Sequence, residues 1–187
     1  MNKRFVVFVV IVLTISLSAC GHFGRIHGLS TALVDNGTHA NNTVQKLVEA
    51  ISNQNVAGVK ALFSSTSVNQ VEDMDDQIKE MFSFIHGDIV VVSDANERGV
   101  GGGSETEFGK RRQYITVSIR IETTTNVYFV AFRQTLTDAF DWNNIGVNSI
   151  YIINAKNWLD PMAYRGNGSW TPGINIEGDI SAAMPVM

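Results

Sequence analysis

The chain has 187 residues, 14 basic and 18 acidic side chains, a formal net charge of −4 at neutral pH and a single cysteine. The acidic balance argues against nucleic acid and against direct docking on anionic lipid, and one cysteine leaves no disulfide framework and no thiolate metal site. The length suits one domain of about 100–150 residues with tails, which its hydrophobic core must hold together.

Met1-Asn2-Lys3-Arg4 is short and basic, and Phe5–Leu17 is uncharged and apolar apart from Thr14 and Ser16. That stretch is too short for a membrane span, which needs roughly 20 residues, and falls within the roughly 7–15 of a signal-peptide apolar region. Leu17-Ser18-Ala19-Cys20 follows. It resembles the bacterial lipobox, an aliphatic residue and two small ones before a lipid-accepting cysteine. The resemblance implies removal of residues 1–19, a diacylglycerol on the Cys20 thiol, and a protein held on the extracytoplasmic side of the cell membrane by lipid. The remaining chain would carry 12 basic and 18 acidic residues, since the leader contains Lys3 and Arg4 and no acid. Residues 20–40, rich in Gly, His, Ser, Thr and Asn, read as the lipidated cysteine and a flexible tether.

From Asn41 the pattern becomes helical. Asn41-Asn42-Thr43 offers capping side chains, and Val44, Leu47, Val48 and Ile51 fall on one face. Val56, Val59, Leu62 and Phe63 form a second, shorter stripe, capped by Asn55. A third helix carries Met74, Ile78, Met81, Phe82 and Ile85, with Asp73 as its cap, Asp76 as capping-box partner and Gly87 as its left-handed stop. Strands then follow at Ile89–Val92, Tyr114–Glu122, Val127–Thr135 and Ile145–Ile153, with a hairpin turn at Thr123–Asn126. The glycine-rich stretch 95–110 reads as a long loop, and residues 155–187 as an irregular tail. Three helices followed by about four antiparallel strands predict an α+β domain over residues 41–154.

Within Thr43–Ile153, the segments Val59-Lys60-Ala61-Leu62-Phe63-Ser64, Asp76-Gln77-Ile78, Phe84-Ile85-His86-Gly87-Asp88-Ile89 and Ile145-Gly146-Val147-Asn148-Ser149-Ile150-Tyr151-Ile152 resemble an uncharacterised family of Gram-positive lipoproteins, domain of unknown function 5104. The resemblance implies the nuclear-transport-factor-2-like (cystatin-like) cone, in which helices pack into the concave face of a curved antiparallel sheet. Enzymes built on such cones place an acidic or histidine base beside a tyrosine, which makes His86, Asp88, Tyr114, Tyr128 and Tyr151 the residues to inspect for chemistry. Each also has a plain structural explanation: His86 and Asp88 flank a helix C-terminus, and tyrosines suit strands. The family carries no assigned activity, so no catalytic residue is transferred. Sheet-to-sheet homodimers are common in the resembling fold.

Other motifs yield little chemistry. The Gly99–Gly103 run does not match a phosphate loop, because Gly109-Lys110 is followed by Arg111 and no helix opens there. Lys110-Arg111-Arg112 could hold an anion or a lipid head group, but reads as a solvated strand entrance. Of the four histidines, His22, His27 and His39 lie in the tether, and no metal-ligand spacing or cofactor motif is present. The leading expectation is a surface-tethered domain that binds a small apolar ligand or a protein partner. A small isomerase-, dehydratase- or hydrolase-like cone enzyme and a dimerising envelope component remain alternatives.

Overall fold

The computed structural model describes residues 36–95, 100–154 and 169–177. The signal-peptide and Cys20 expectations, and most of the tether and tail, lie outside them. The described chain is an α+β domain whose compact unit begins at Gly37.

The first helix, α1, covers residues 36–52 within the described chain. The tether is therefore shorter than its composition suggested: Ala40 is fully buried. Asn41 and Thr43 lie inside the helix and do not cap it. Asn41 instead accepts from the amide of Ala95 and donates to Asp94, and Thr43 donates to Gln134. Helix α2 is Val56–Lys60, capped by Asn55, whose side chain accepts from the Gly58 amide at 2.9 Å. Helix α3, Ser65–Gln70, was not expected, because STSVNQ has one apolar residue. It starts at a cap where Ser64 Oγ accepts from the Ser67 amide. Helix α4, Met74–Phe84, buries Met74, Ile78 and Met81. Asp73 occupies the cap position without bonding a helix amide and accepts from the Gln77 side chain instead, and Asp76 pairs with Lys79 rather than closing a capping box. Gly87 has φ +84°, as a left-handed stop requires.

The sheet has six strands: β1 Ile89–Val92, β2 Gly101–Glu107, β3 Lys110–Thr123, β4 Val127–Asp138, β5 Gly146–Asn154 and β6 Gly173–Glu177. Their order is β1-β3-β4-β5-β6, with β2 also on β3. Strands β1 and β2 share one edge of the long β3, opposite residues 121–123 and 110–116. All pairs are antiparallel except β5–β6, so the sheet is mixed. Two strands were missed. The glycine-rich stretch expected to be a loop holds β2, a hairpin partner of β3 across the turn Phe108–Gly109, in which both residues have positive φ. Gly103 lies against the Tyr114 ring, which fills the space that a side chain would occupy. The supposed tail contributes β6, which adds parallel to β5 and buries Ile174.

Alternation on β3 places Ile115, Val117, Ile119 and Ile121 in the main core with Val130, Phe132, Ile150 and Ile152, covered by the apolar faces of the helices. The opposite face of β4 and β5 buries Phe129, Ala131, Tyr151 and Ile153 in a second cluster with Val127 and Trp170. Burial on both faces explains the unbroken apolar runs in these two strands.

Candidate binding site

Two irregularities in the ladder set up the site. Between β3 and β4 the register slips at Gln113/Tyr114, leaving Leu136 as the extra residue, and between β4 and β5 it slips at Arg133/Gln134, leaving Asn148 as the extra one. Bulges of this kind re-aim side chains and are common beside functional sites. Here Arg133 and Thr135 share one face, opposite Ser149 and Tyr114 respectively. The Thr135 hydroxyl donates to the bulged Asn148 at 2.9 Å.

Asp138 at the end of β4 organises the neighbouring turn. Its carboxylate accepts from the amides of Phe140 (2.8 Å) and Asp141 (3.2 Å), the Asn144 side-chain amide (2.8 Å) and Arg112 Nε (2.7 Å). The group is screened from solvent yet shallow. Burial by itself would raise its pKa, but the bonds from Asn144, Phe140, Asp141 and Arg112 outweigh it and hold the carboxyl down at about 2. The turn thereby fixes Asn144 in the 3-10 segment Trp142–Asn144 and Arg112 on β3. The Arg112 guanidinium also lies 5.8 Å from the Phe140 ring centre.

Helix α3 is brought alongside by a backbone clasp. The Ser64 amide donates to the Val147 carbonyl, and the Val147 amide to that of Leu62. The approach is so close that a Cβ on Gly146, whose φ is +130°, would lie 2.7 Å from the Ser64 nitrogen. On the other side the chain returns to β6 through Trp170, which sits at φ +50° and packs edge-on to Tyr151 at 5.8 Å. A positive φ is uncommon for so bulky a residue.

These parts enclose a cavity of about 350 Å³. Arg112, Arg133 and Thr135 supply its sheet side, Asn144 and Asn148 its turn side, α3 contributes Thr66, Ser67 and Gln70, and Trp170 and Pro172 close it. Arg133 stands out electrostatically. Its guanidinium lies 3.9 Å above the Tyr114 ring, a cation–π contact worth about 0.5–2 kcal/mol. Among the described residues it makes no hydrogen bond or ion pair, whereas Arg112 is paired to Asp138. Directly across the ladder, Ser149 is fully buried and its hydroxyl has no hydrogen-bond partner among the described residues.

The five residues singled out from the sequence do not line one cavity. His86 and Asp88 are exposed, and their backbone is knitted to the β3–β4 hairpin: the hydroxyls of Thr123 and Thr125 donate to the His86 carbonyl, and the Asp88 amide donates to Thr124. Tyr128 is buried, and its hydroxyl accepts from the His86 amide and donates to the Phe84 carbonyl, closing the C-terminus of α4. Tyr151 belongs to the second cluster, and its hydroxyl takes the Thr171 amide. Only Tyr114 reaches the site, as the platform under Arg133. The strand aromatics expected to line a pocket, Tyr128, Phe129 and Phe132, are core. In the basic cluster, Lys110 and Arg111 are exposed and only Arg112 faces the cavity. Arg133, the residue missed, did leave a signal: it is the one charge in Val127-Tyr-Phe-Val-Ala-Phe-Arg133, an otherwise apolar run.

A second hollow of about 320 Å³ lies between α1 and α2 around Lys46, Glu49 and Asn53. Among the described residues no three His, Cys, Asp or Glu side chains are grouped to hold a metal ion, and no helix is long and apolar enough to cross a membrane.

The family model described as Domain of unknown function (DUF5104) matches residues 46–155, more than half of the chain, and the protein belongs to that family. No curated protein matches the sequence.

Proposed function

We propose that this DUF5104 protein is a lipid-anchored extracytoplasmic domain that binds a small ligand in the cavity between α3 and the bulged end of β3, β4 and β5. The observation that carries the binding reading is the half-buried Arg133, held on Tyr114 and without a hydrogen-bond or ion-pair partner among the described residues, at a cavity otherwise lined by Arg112, which Asp138 pairs, and by amides, hydroxyls, a proline and an indole. A few convergent polar groups in a hollow of roughly 300 Å³ or more are what small-molecule sites are made of. The lining offers hydrogen-bonding guanidinium, amide, hydroxyl and indole groups, which suits holding a ligand. The polarity of the lining favours a polar ligand over the apolar one expected from strand aromatics.

The anchor rests on Lys3-Arg4, the apolar Phe5–Leu17 and Leu17-Ser18-Ala19-Cys20. Two or more acyl chains hold a domain at a membrane stably, whereas one holds it only marginally. The helical layer against one face of the sheet supports a nuclear-transport-factor-2-like cone. Binding is tested by a thermal-shift screen of polar small molecules on the full chain in detergent. A ligand at 100 times its dissociation constant adds roughly 2.7 kcal/mol, and Asn148→Ala or Trp170→Ala should weaken that response. Stabilising ligands indifferent to both changes would place binding elsewhere.

A further inference from the structure

We infer that the ligand carries an oxyanion, a carboxylate or a phosphate group, and that the Arg133 guanidinium anchors it; this rests on the reading of the cavity as the ligand site. Among the described residues, Arg133 is the guanidinium of this cavity that no carboxylate pairs. Arg112 Nε is taken by Asp138 at 2.7 Å, and its Nη1 is 3.9 Å from Glu105, beyond hydrogen-bonding distance. Asp138 therefore neutralises one arginine and leaves the other. A guanidinium presents five donors in a planar fork matched to carboxylate and phosphate oxygens. The Tyr114 ring lies 3.9 Å from the guanidinium carbon and supports that fork without using its N–H donors in an ion pair.

The rest of the lining fits a group with two or three oxygens on a small polar body. Asn144 is held by Asp138 and Asn148 by Thr135, so both side chains are fixed before a ligand arrives. Preorganisation of this kind lowers the ordering cost of binding. The local excess of positive charge sits in a chain whose overall charge is −4, so nonspecific attraction of anions to the whole surface is not its source.

Isothermal titration calorimetry on the full chain in detergent, with inorganic phosphate, succinate and glucose as probes, tests the assignment. Phosphate or succinate should bind and glucose should not, and the tighter of the two anions identifies the oxyanion. Arg133→Gln should weaken that binding about 10- to 100-fold, the loss expected for charge-assisted hydrogen bonds. Arg133→Lys should recover part of it, showing that the fold survives the substitution. The double change Lys110→Gln/Arg111→Gln, in the exposed basic pair, should leave it within twofold. An equal loss in that double variant, or affinity in Arg133→Gln within twofold of the parent, would overturn the assignment. If glucose binds, weakens in Asn148→Ala and ignores Arg133→Gln, the oxyanion is wrong while the cavity stands as the ligand site. If no probe, and no compound of the thermal-shift screen, responds to any cavity substitution, both readings fall.

Discussion

Replacing Asp138 by asparagine should destabilise the domain in a way that depends on pH. In the folded protein four donors converge on the carboxylate and hold its pKa at about 2, against 3.8 for the free side chain. A depressed carboxyl contributes stability that is fully present above its unfolded value and is lost as pH falls through its folded value. The difference of somewhat under two units corresponds to about 2–2.5 kcal/mol at neutral pH, at about 1.4 kcal/mol per unit. Asparagine can still accept from the Phe140 and Asp141 amides through its one oxygen. Its NH₂, however, then faces Arg112 Nε and the Asn144 amide, two donors that become unsatisfied. For a domain of this size the melting point should fall by about 4–8 °C at pH 7. Urea unfolding of the full chain and of Asp138→Asn, run from pH 7 to pH 2.5, reads the effect directly, because every other titrating group cancels in the difference. The charged groups facing the carboxylate are Arg112 and, behind it, Glu105, itself 58% exposed. The gap should hold at about 2 kcal/mol from pH 7 to pH 5 and narrow steadily below pH 4. A gap that stays constant from pH 5 to pH 2.5, or one below about 0.5 kcal/mol at pH 7, would refute the view that Asp138 is held ionised by this turn.

Three further substitutions probe the frame. Gly146→Ala combines a φ of +130° with a Cβ 2.7 Å from the Ser64 nitrogen; it should cost about 3 kcal/mol or more and displace α3, seen as a lower denaturation midpoint together with loss of ligand response. Tyr128→Phe removes the hydroxyl that joins the His86 amide to the Phe84 carbonyl inside the core, and should lower stability by about 1–3 kcal/mol in urea melts; a change under 0.5 kcal/mol would mean that this capping bond is dispensable. Cys20→Ser in a bacterial host should abolish fatty-acid labelling and release the domain or leave its precursor unprocessed, and unchanged labelling and membrane retention would show that Cys20 is not the anchor.

What the sequence revealed and what it hid divide along one physical line. The third helix, the long strands β3, β4 and β5 and the Gly87 stop were legible because their signals are local. Met74, Ile78 and Met81 repeat at helical spacing, Ile115 to Ile121 alternate, and Gly87 permits the positive φ of a helix stop. Helix α3, β2 and β6 were not legible, since none has an amphipathic period long enough to declare itself. Gly101–Glu107 becomes a strand because β3 is long enough to template it and Tyr114 fills the gap at Gly103. Ser65–Gln70 becomes a helix because the Leu62–Val147–Ser64 clasp delivers Ser64 to the right place to cap it. Gly173–Glu177 pairs only because β5 offers a free edge, and the alternation of Ile174 with Ile176 is too short a signal to outweigh the prolines and glycines around it.

The site inherits that division. Every wall of the cavity except the β3–β4 face comes from an element with no periodic signature: the turn after Asp138, the Asn148 bulge, the capped polar helix and the return through Trp170. Of the residues that looked chemically eligible, Tyr128 and Tyr151 spend their hydroxyls on backbone groups, and His86 and Asp88 are held by their backbone at the helix-to-strand junction, which leaves Tyr114 alone beside the cavity. A better guide was incongruity. Arg133 ends the apolar run of its strand at a half-buried position, where a charge costs something unless a partner answers it. Asp138, at the end of the same strand, is answered four times over, whereas among the described residues Arg133 is answered only by the Tyr114 ring. That asymmetry between two charges five residues apart on one strand is the strongest physical reason for placing the ligand at Arg133.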